Sequence, residues 1–311
     1  MKNVLWLLVG LLAACTAPSP RTGPQGCDIR KDAEIPITFE RGLIGAPAMI
    51  EGNPVTLLID TGSEASLVTP AAMAALHLQT DRRRRTTIQG TGGAITTQNA
   101  ALQSFGIGGM EMLDQSTAVG PLPGVRNVRL AASGLVGADW LRDFDVELDL
   151  PHRRVALYRV QGCSGAYVPW QGPTTPVPVQ IYRRGLVLLP VKLDGQSVTA
   201  LLDSGANRSI LSETAATRVG VGGSTPASDR PGTAIGIDGA MQATRGHRFG
   251  VLRVGGAEYR GPLIGVGPLQ LPMADMLLGT DWLRVNRVWI SYAARRVTIQ
   301  PVRPVGDTRA E

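Results

Sequence analysis

The sequence predicts an all-β chain with short helices, built as two similar lobes. Three observations predict this. Residues 35–158 and 178–300 run through the same motifs in the same order, the mark of an internal repeat. Apolar residues fall in short continuous or alternating runs, which read as strands. The 311 residues include 38 glycines and 22 prolines, so turns are frequent. The length suits two domains of ordinary size.

Residues 1–15 are expected to be a lipoprotein signal peptide. Lys2 gives a positive start, and the apolar core Val4 to Leu12 is too short to span a bilayer stably. Leu12-Ala13-Ala14-Cys15 resembles a bacterial lipobox, which is cut before the cysteine. Lipid on Cys15 would make a membrane the first partner. An ordinary cleaved signal with a chance cysteine is the alternative. The lipobox implies a periplasmic, membrane-anchored protein. Thr16 lacks the charge of an inner-membrane retention signal, so the outer membrane is preferred.

Residues 16–33 are rich in Pro, Gly, Thr and Ser and read as a flexible tether. Beyond Cys15 only Cys27 and Cys163 remain. An even number in an exported chain suggests a disulfide, with two unpaired thiols as the alternative.

Lobe 1 is expected at 34–158 and lobe 2 at 177–301. Each opens with a hairpin, Ala48 to Thr56 and Val191 to Thr199, the second turning on Asp194-Gly195. Each hairpin leads into an apolar run that ends in a carboxylate, Asp60-Thr61-Gly62 and Asp203-Ser204-Gly205. A carboxylate at the end of a buried strand is costly unless something uses or pairs it. The two aspartates are expected to meet and form one pair.

A short strand and a short helix follow each loop. Thr69 before Pro70, and Ser212 before Glu213, suit the helix starts. The run Arg82-Arg83-Arg84-Arg85 reads as a solvated loop after the first helix. No aromatic residues interleave with it, so nucleic acid is not an expected partner. This holds despite a net charge of +6, from 31 basic and 25 acidic residues.

Next come glycine hairpins, turning at Gly92-Gly93 and Asp238-Gly239. Their place in both repeats favours flaps over a substrate cleft. Each repeat then reaches apolar-apolar-Gly-x-Asp-Trp-Leu, at Leu135 to Leu141 and Leu277 to Leu283. Asp139 and Asp281 read as helix caps or arginine partners, outside the site. Alternating strands close each lobe. In the first, Val146, Leu148 and Leu150 oppose Asp145, Glu147 and Asp149, as in a half-buried strand. Residues 159–176 read as a linker and 302–311 as a disordered tail.

Two Asp-Thr/Ser-Gly loops, each followed by a glycine hairpin and Gly-x-Asp-Trp-Leu, resemble the retropepsin-like aspartic proteases. The resemblance implies two β-barrel lobes related by a pseudo-two-fold axis. Retropepsins usually carry one such unit and dimerise. This chain looks like a fused dimer, expected to act as a monomer, and neither flap has the tyrosine of the pepsin flap. The resemblance also implies an aspartic endopeptidase acting on peptide or protein substrates. Asp60 and Asp203 would be catalytic, with Thr61, Gly62, Ser204 and Gly205 supporting them. No metal or cofactor is expected. His77, His152 and His247 lack the spacing of a zinc site or a Ser-His-Asp triad. The rival expectation is a peptide-binding lipoprotein without catalysis on the same fold.

Overall fold

The computed structural model describes residues 27–90, 93–122, 131–163, 167–222, 229–235 and 241–302. The chain is mostly strand, with helices of four to six residues. It forms an eight-stranded sheet in lobe 1, a ten-stranded sheet in lobe 2, and a six-stranded sheet shared by both.

The two lobes are built alike. In each, a hairpin delivers the aspartate strand: Leu43–Ile50 with Asn53–Ile59, and Leu186–Leu193 with Gln196–Leu202. Both turns need positive φ at two successive residues, supplied by Glu51-Gly52 and Asp194-Gly195. The aspartate strand pairs in parallel with the strand that opens the later motif, Ala132–Val136 or Met276–Leu278. That strand pairs antiparallel with Leu67–Val68 or Ile210–Ser212. Asp60 and Asp203 therefore leave their strands in the middle of a sheet, where both faces are covered. Thr69 and Ser212 cap the following helices, each accepting a backbone N–H at 3.1 Å, and Pro70 stands in the first turn of its helix.

The shared sheet orders its strands as Asp28–Pro36, Arg154–Gln161, Asp145–Asp149, Asn286–Ser291, Arg296–Pro301 and Thr175–Pro178. Its midline falls between Asp145–Asp149 of lobe 1 and Asn286–Ser291 of lobe 2, which pair antiparallel with Glu147 opposite Trp289. The two halves repeat in mirrored order about that line, as a pseudo-two-fold axis requires.

Four expectations are corrected. Residues 28–33 do not belong to a tether, because from Asp28 onward the chain forms a strand on Arg154–Gln161. A disulfide between Cys27 and Cys163 ties down the start of that strand. The linker is not a free spacer either. Its first residues finish one strand, Thr175 begins another, and Val168 and Trp170 pack on Tyr158 and Trp289.

Arg82 to Arg85 lie within the strand Gln79–Gly90 rather than in a loop. The register shifts between Asp81 and Arg85, so this stretch bulges out of the ladder with its arginines exposed. Asp81 accepts the Arg83 N–H at 2.9 Å, and Gln98 donates to the Arg84 carbonyl at 3.0 Å.

The strand Asp145–Asp149 is buried along its whole length, acids included. Its polar face is covered by the aromatic layer of Tyr158, Trp170 and Trp289, and the acids are bonded within it. Glu147 accepts from Arg154 (3.1 Å), Tyr158 (2.8 Å) and Arg287 (2.8 Å). Asp145 accepts from Trp289 and Ser291 of the other lobe. Among the described residues, no helix is long and apolar enough to cross a membrane. Cys15, residues 16–26 and the tail from 303 lie outside the described residues.

Candidate active site

The two aspartate loops meet across the pseudo-two-fold axis. Each ladder ends with the aspartate N–H donating at 3.0 Å to a carbonyl of its parallel neighbour, Val136 for Asp60 and Leu278 for Asp203. The chain then turns back on its own carboxylate. Gly62 N–H donates to Asp60 Oδ1 at 2.9 Å, and Gly205 N–H to Asp203 Oδ1 at 2.9 Å. Ala206 N–H adds a bond to Asp203 Oδ1 at 3.1 Å.

Each glycine also lies against the opposite lobe's aspartate. A Cβ on Gly62 would overlap the Asp203 carboxyl, and one on Gly205 would overlap the Asp60 carboxyl. Only glycine lets the loops close this far. As whole residues, Asp60 and Asp203 are half-buried.

Thr61 and Ser204 lock the loops together. Thr61 Oγ1 donates to the Leu202 carbonyl (2.8 Å) and accepts the Ser204 N–H (3.0 Å). Reciprocally, Ser204 Oγ donates to the Ile59 carbonyl (2.8 Å) and accepts the Thr61 N–H (2.9 Å). Both residues are buried, at 0% and 1% exposure, so these four bonds are shielded from water and expensive to lose.

A second lock escaped the sequence reading. Asp139 accepts from Ser66 N–H at 2.9 Å and Ser66 Oγ at 2.7 Å, and Ser66 Oγ accepts the Gly137 N–H at 2.9 Å. Lobe 2 repeats it with Asp281, Ser209 and Gly279. Asp139 and Asp281 are thus structural, as expected, but their partners are serines rather than arginines. The signal lay in the repeat: Ser66 and Ser209 each stand six residues after the aspartate.

Burial pushes the Asp60 carboxyl well above its ordinary value of 3.8, and the neighbouring Asp203 charge pushes it further, against the Gly62 N–H. Burial raises Asp203 as well, opposed by the N–H groups of Gly205 and Ala206. Two carboxyls so placed are costly to ionise together. The linkage has a definite sign. A carboxyl raised on folding contributes stability that is complete below its unfolded value and lost as pH rises through its folded value. Asp60→Asn is therefore expected to gain stability relative to wild type as pH climbs from 3.8. Melting temperatures of both proteins across pH test this, and a constant difference refutes it.

The glycine hairpins expected to be flaps form from Gln79–Gly90 with Gly93–Ile107, and from Arg230–Ile235 with Met241–Arg248. Gly93 opens its strand; Gly92, Asp238 and Gly239 lie outside the described residues. Among the described residues, no group of three or more His, Cys, Asp or Glu is placed to hold a metal. His152 lies 2.7 Å from Asp149, and His247 lies 2.7 Å from Asp229.

A family model described as aspartyl protease matches residues 46–140 and again 189–282, one match in each repeat. No curated protein matches the chain.

Proposed function

The chain belongs to the aspartyl protease family, in a tandem retropepsin-like form, and from that premise we propose that it is an aspartic endopeptidase. The observation that carries the reading is the reciprocal seating of Asp60 and Asp203, each against the other loop's glycine. In this reading a water sits between the carboxyls. The ionised member takes its proton as it attacks the peptide carbonyl carbon, and the protonated member donates to the carbonyl oxygen. The roles then reverse as the leaving amine is protonated. The substrate is an extended polypeptide, paired as an added strand beneath the two flap hairpins. One chain supplies both carboxyls, so a monomer suffices.

The test is digestion of an unfolded protein by purified residues 16–311 across pH, with pepstatin and the two aspartate variants as controls. Product that persists in both variants would overturn the reading.

We further propose that Cys15 carries lipid and holds the enzyme at a membrane outside the cytoplasm, preferably the outer membrane. The Leu12-Ala13-Ala14-Cys15 motif supports this. Radiolabelled palmitate is expected to mark wild type and not Cys15→Ala; equal labelling counts against it.

A further inference from the structure

The repeat makes each lobe a control for the other. Position by position, Glu64 of lobe 1 corresponds to Asn207 of lobe 2, and Ala65 to Arg208. Each pair is approached by a turn from the opposite lobe, Arg183 to Gly185 or Arg41-Gly42. In lobe 1 the approach brings opposite charges together, with Arg183 Nη1 3.5 Å from Glu64 Oε1.

In lobe 2 the approach is just as close. The Gly42 carbonyl accepts Thr280 Oγ1 at 2.9 Å, and a Cβ on Gly42 would overlap Asn207. Asn207, however, has no charge to offer Arg41. Among the described residues, neither Arg41 nor Arg208 has an anionic partner, and both are exposed.

These two arginines line a cavity of about 840 Å³, within the size range of ligand pockets. Phe39, Tyr259 and Trp282 give it apolar walls. Arg284, 5.4 Å over the Phe39 ring, also lines it. The cavity's own carboxylate, Asp281, is already bonded to Ser209 and to the Trp282 N–H.

Neither Asp60 nor Asp203 lines the cavity, but the chain runs from one into the other. Ala206 donates to Asp203, and Asn207, Arg208 and Ser209 form the cavity wall. Five residues of chain span at most about 18 Å. An extended peptide advances about 3.3 Å per residue, so a side chain reaching the cavity would lie within about five residues of the bond beside the dyad.

We propose that this end of the cleft takes a carboxylate, so that preferred substrates carry Asp or Glu a few residues to one side of the scissile bond. Arginine forks bind carboxylates through paired, charge-assisted hydrogen bonds. The proposal rests on the endopeptidase reading for the word substrate, and on the cavity alone for the binding.

A library of extended peptides, varied over five positions on each side of the cut, tests it. Wild type is expected to favour an acidic residue at one position on one side, by at least about tenfold over the matched amide. In the Arg41→Gln/Arg208→Gln double variant that ratio is expected to fall to about one. Asn207→Glu, which gives Arg41 the partner that Arg183 already has, is expected to do the same with both arginines present. Binding of fluorescent Asp-containing and Asn-containing peptides, followed by anisotropy, reads the site without catalysis. Acidic-peptide binding without any cleavage would retire the endopeptidase reading and leave this one standing. Equal handling of the two peptides by wild type, or an unchanged preference in the double variant, overturns it.

Discussion

Asp60→Ala and Asp203→Ala are each expected to lower kcat/KM for peptide cleavage by at least about 10³-fold while the lobes stay folded and joined. Positioned acid–base groups contribute roughly 10²–10⁴-fold each, and in the proposed mechanism both carboxyls serve in both roles during one turnover. Removing one removes water activation and carbonyl protonation together, so a double variant is expected to lose little more than either single one. The fold is expected to survive because the interlobe lock at the site runs through Thr61, Ser204 and backbone carbonyls, not through the aspartate side chains. Steady-state rates on one peptide, with melting curves for each variant, check both halves. Either single variant within tenfold of wild-type rate would sink the dyad.

Local order was legible in the sequence where local chemistry determines it. Asp194-Gly195 takes the positive φ its hairpin needs, and Thr69 and Ser212 cap the helices they precede. The pairing of the two loops was legible for a different reason. A buried strand ending in a carboxylate is improbable once and needs a cause; twice, at the same place in a repeat, the cause is shared. The Thr61–Ser204 lock followed from the family resemblance, whereas the serine locks on Asp139 and Asp281 did not, because nothing local marks Ser66 or Ser209.

What was illegible depends on partners far away in the chain. The alternation in Asp145–Asp149 has the same pattern whether water or protein covers its polar face. Only the arrival of Trp170 from the linker and Arg287 from lobe 2 decides that protein does. Likewise Asp28 to Ala33 have no apolar period of their own. They become a strand because Arg154–Gln161 offers an edge and Cys163 a covalent tie. Arginine content made Arg82 to Arg85 look like loop, yet exposure and strand pairing are compatible at a bulged stretch beside an edge.

The seam between the lobes yields the second large effect: Glu147→Ala is expected to cost about 3 kcal/mol of stability. Glu147 is fully buried, while Arg154 and Arg287 are 28% and 20% exposed. Removing the carboxylate leaves Arg154 and Arg287 sharing one buried carboxylate, Asp149 at 3.0 and 3.5 Å, and the Tyr158 hydroxyl without its acceptor. Partial wetting of the arginines holds the cost to the lower end of the range for broken buried pairs. Urea denaturation of wild type, Glu147→Ala and Arg287→Ala, with the double variant closing a cycle, separates the pair's coupling from the penalty of an orphaned charge. The double variant is expected to be more stable than Glu147→Ala, since it no longer sets two guanidiniums against the single carboxylate of Asp149. A single-variant cost under about 1 kcal/mol would place Glu147 among ordinary surface ion pairs and refute the assignment. The same loss is expected to reach activity. Glu147 and Arg287 join the strands on either side of the pseudo-two-fold axis, and the proposed dyad requires that the lobes keep that register. Peptide cleavage by Glu147→Ala is therefore expected to fail on warming in step with its own melting curve, whereas Asp60→Ala lacks cleavage at every temperature at which it is folded.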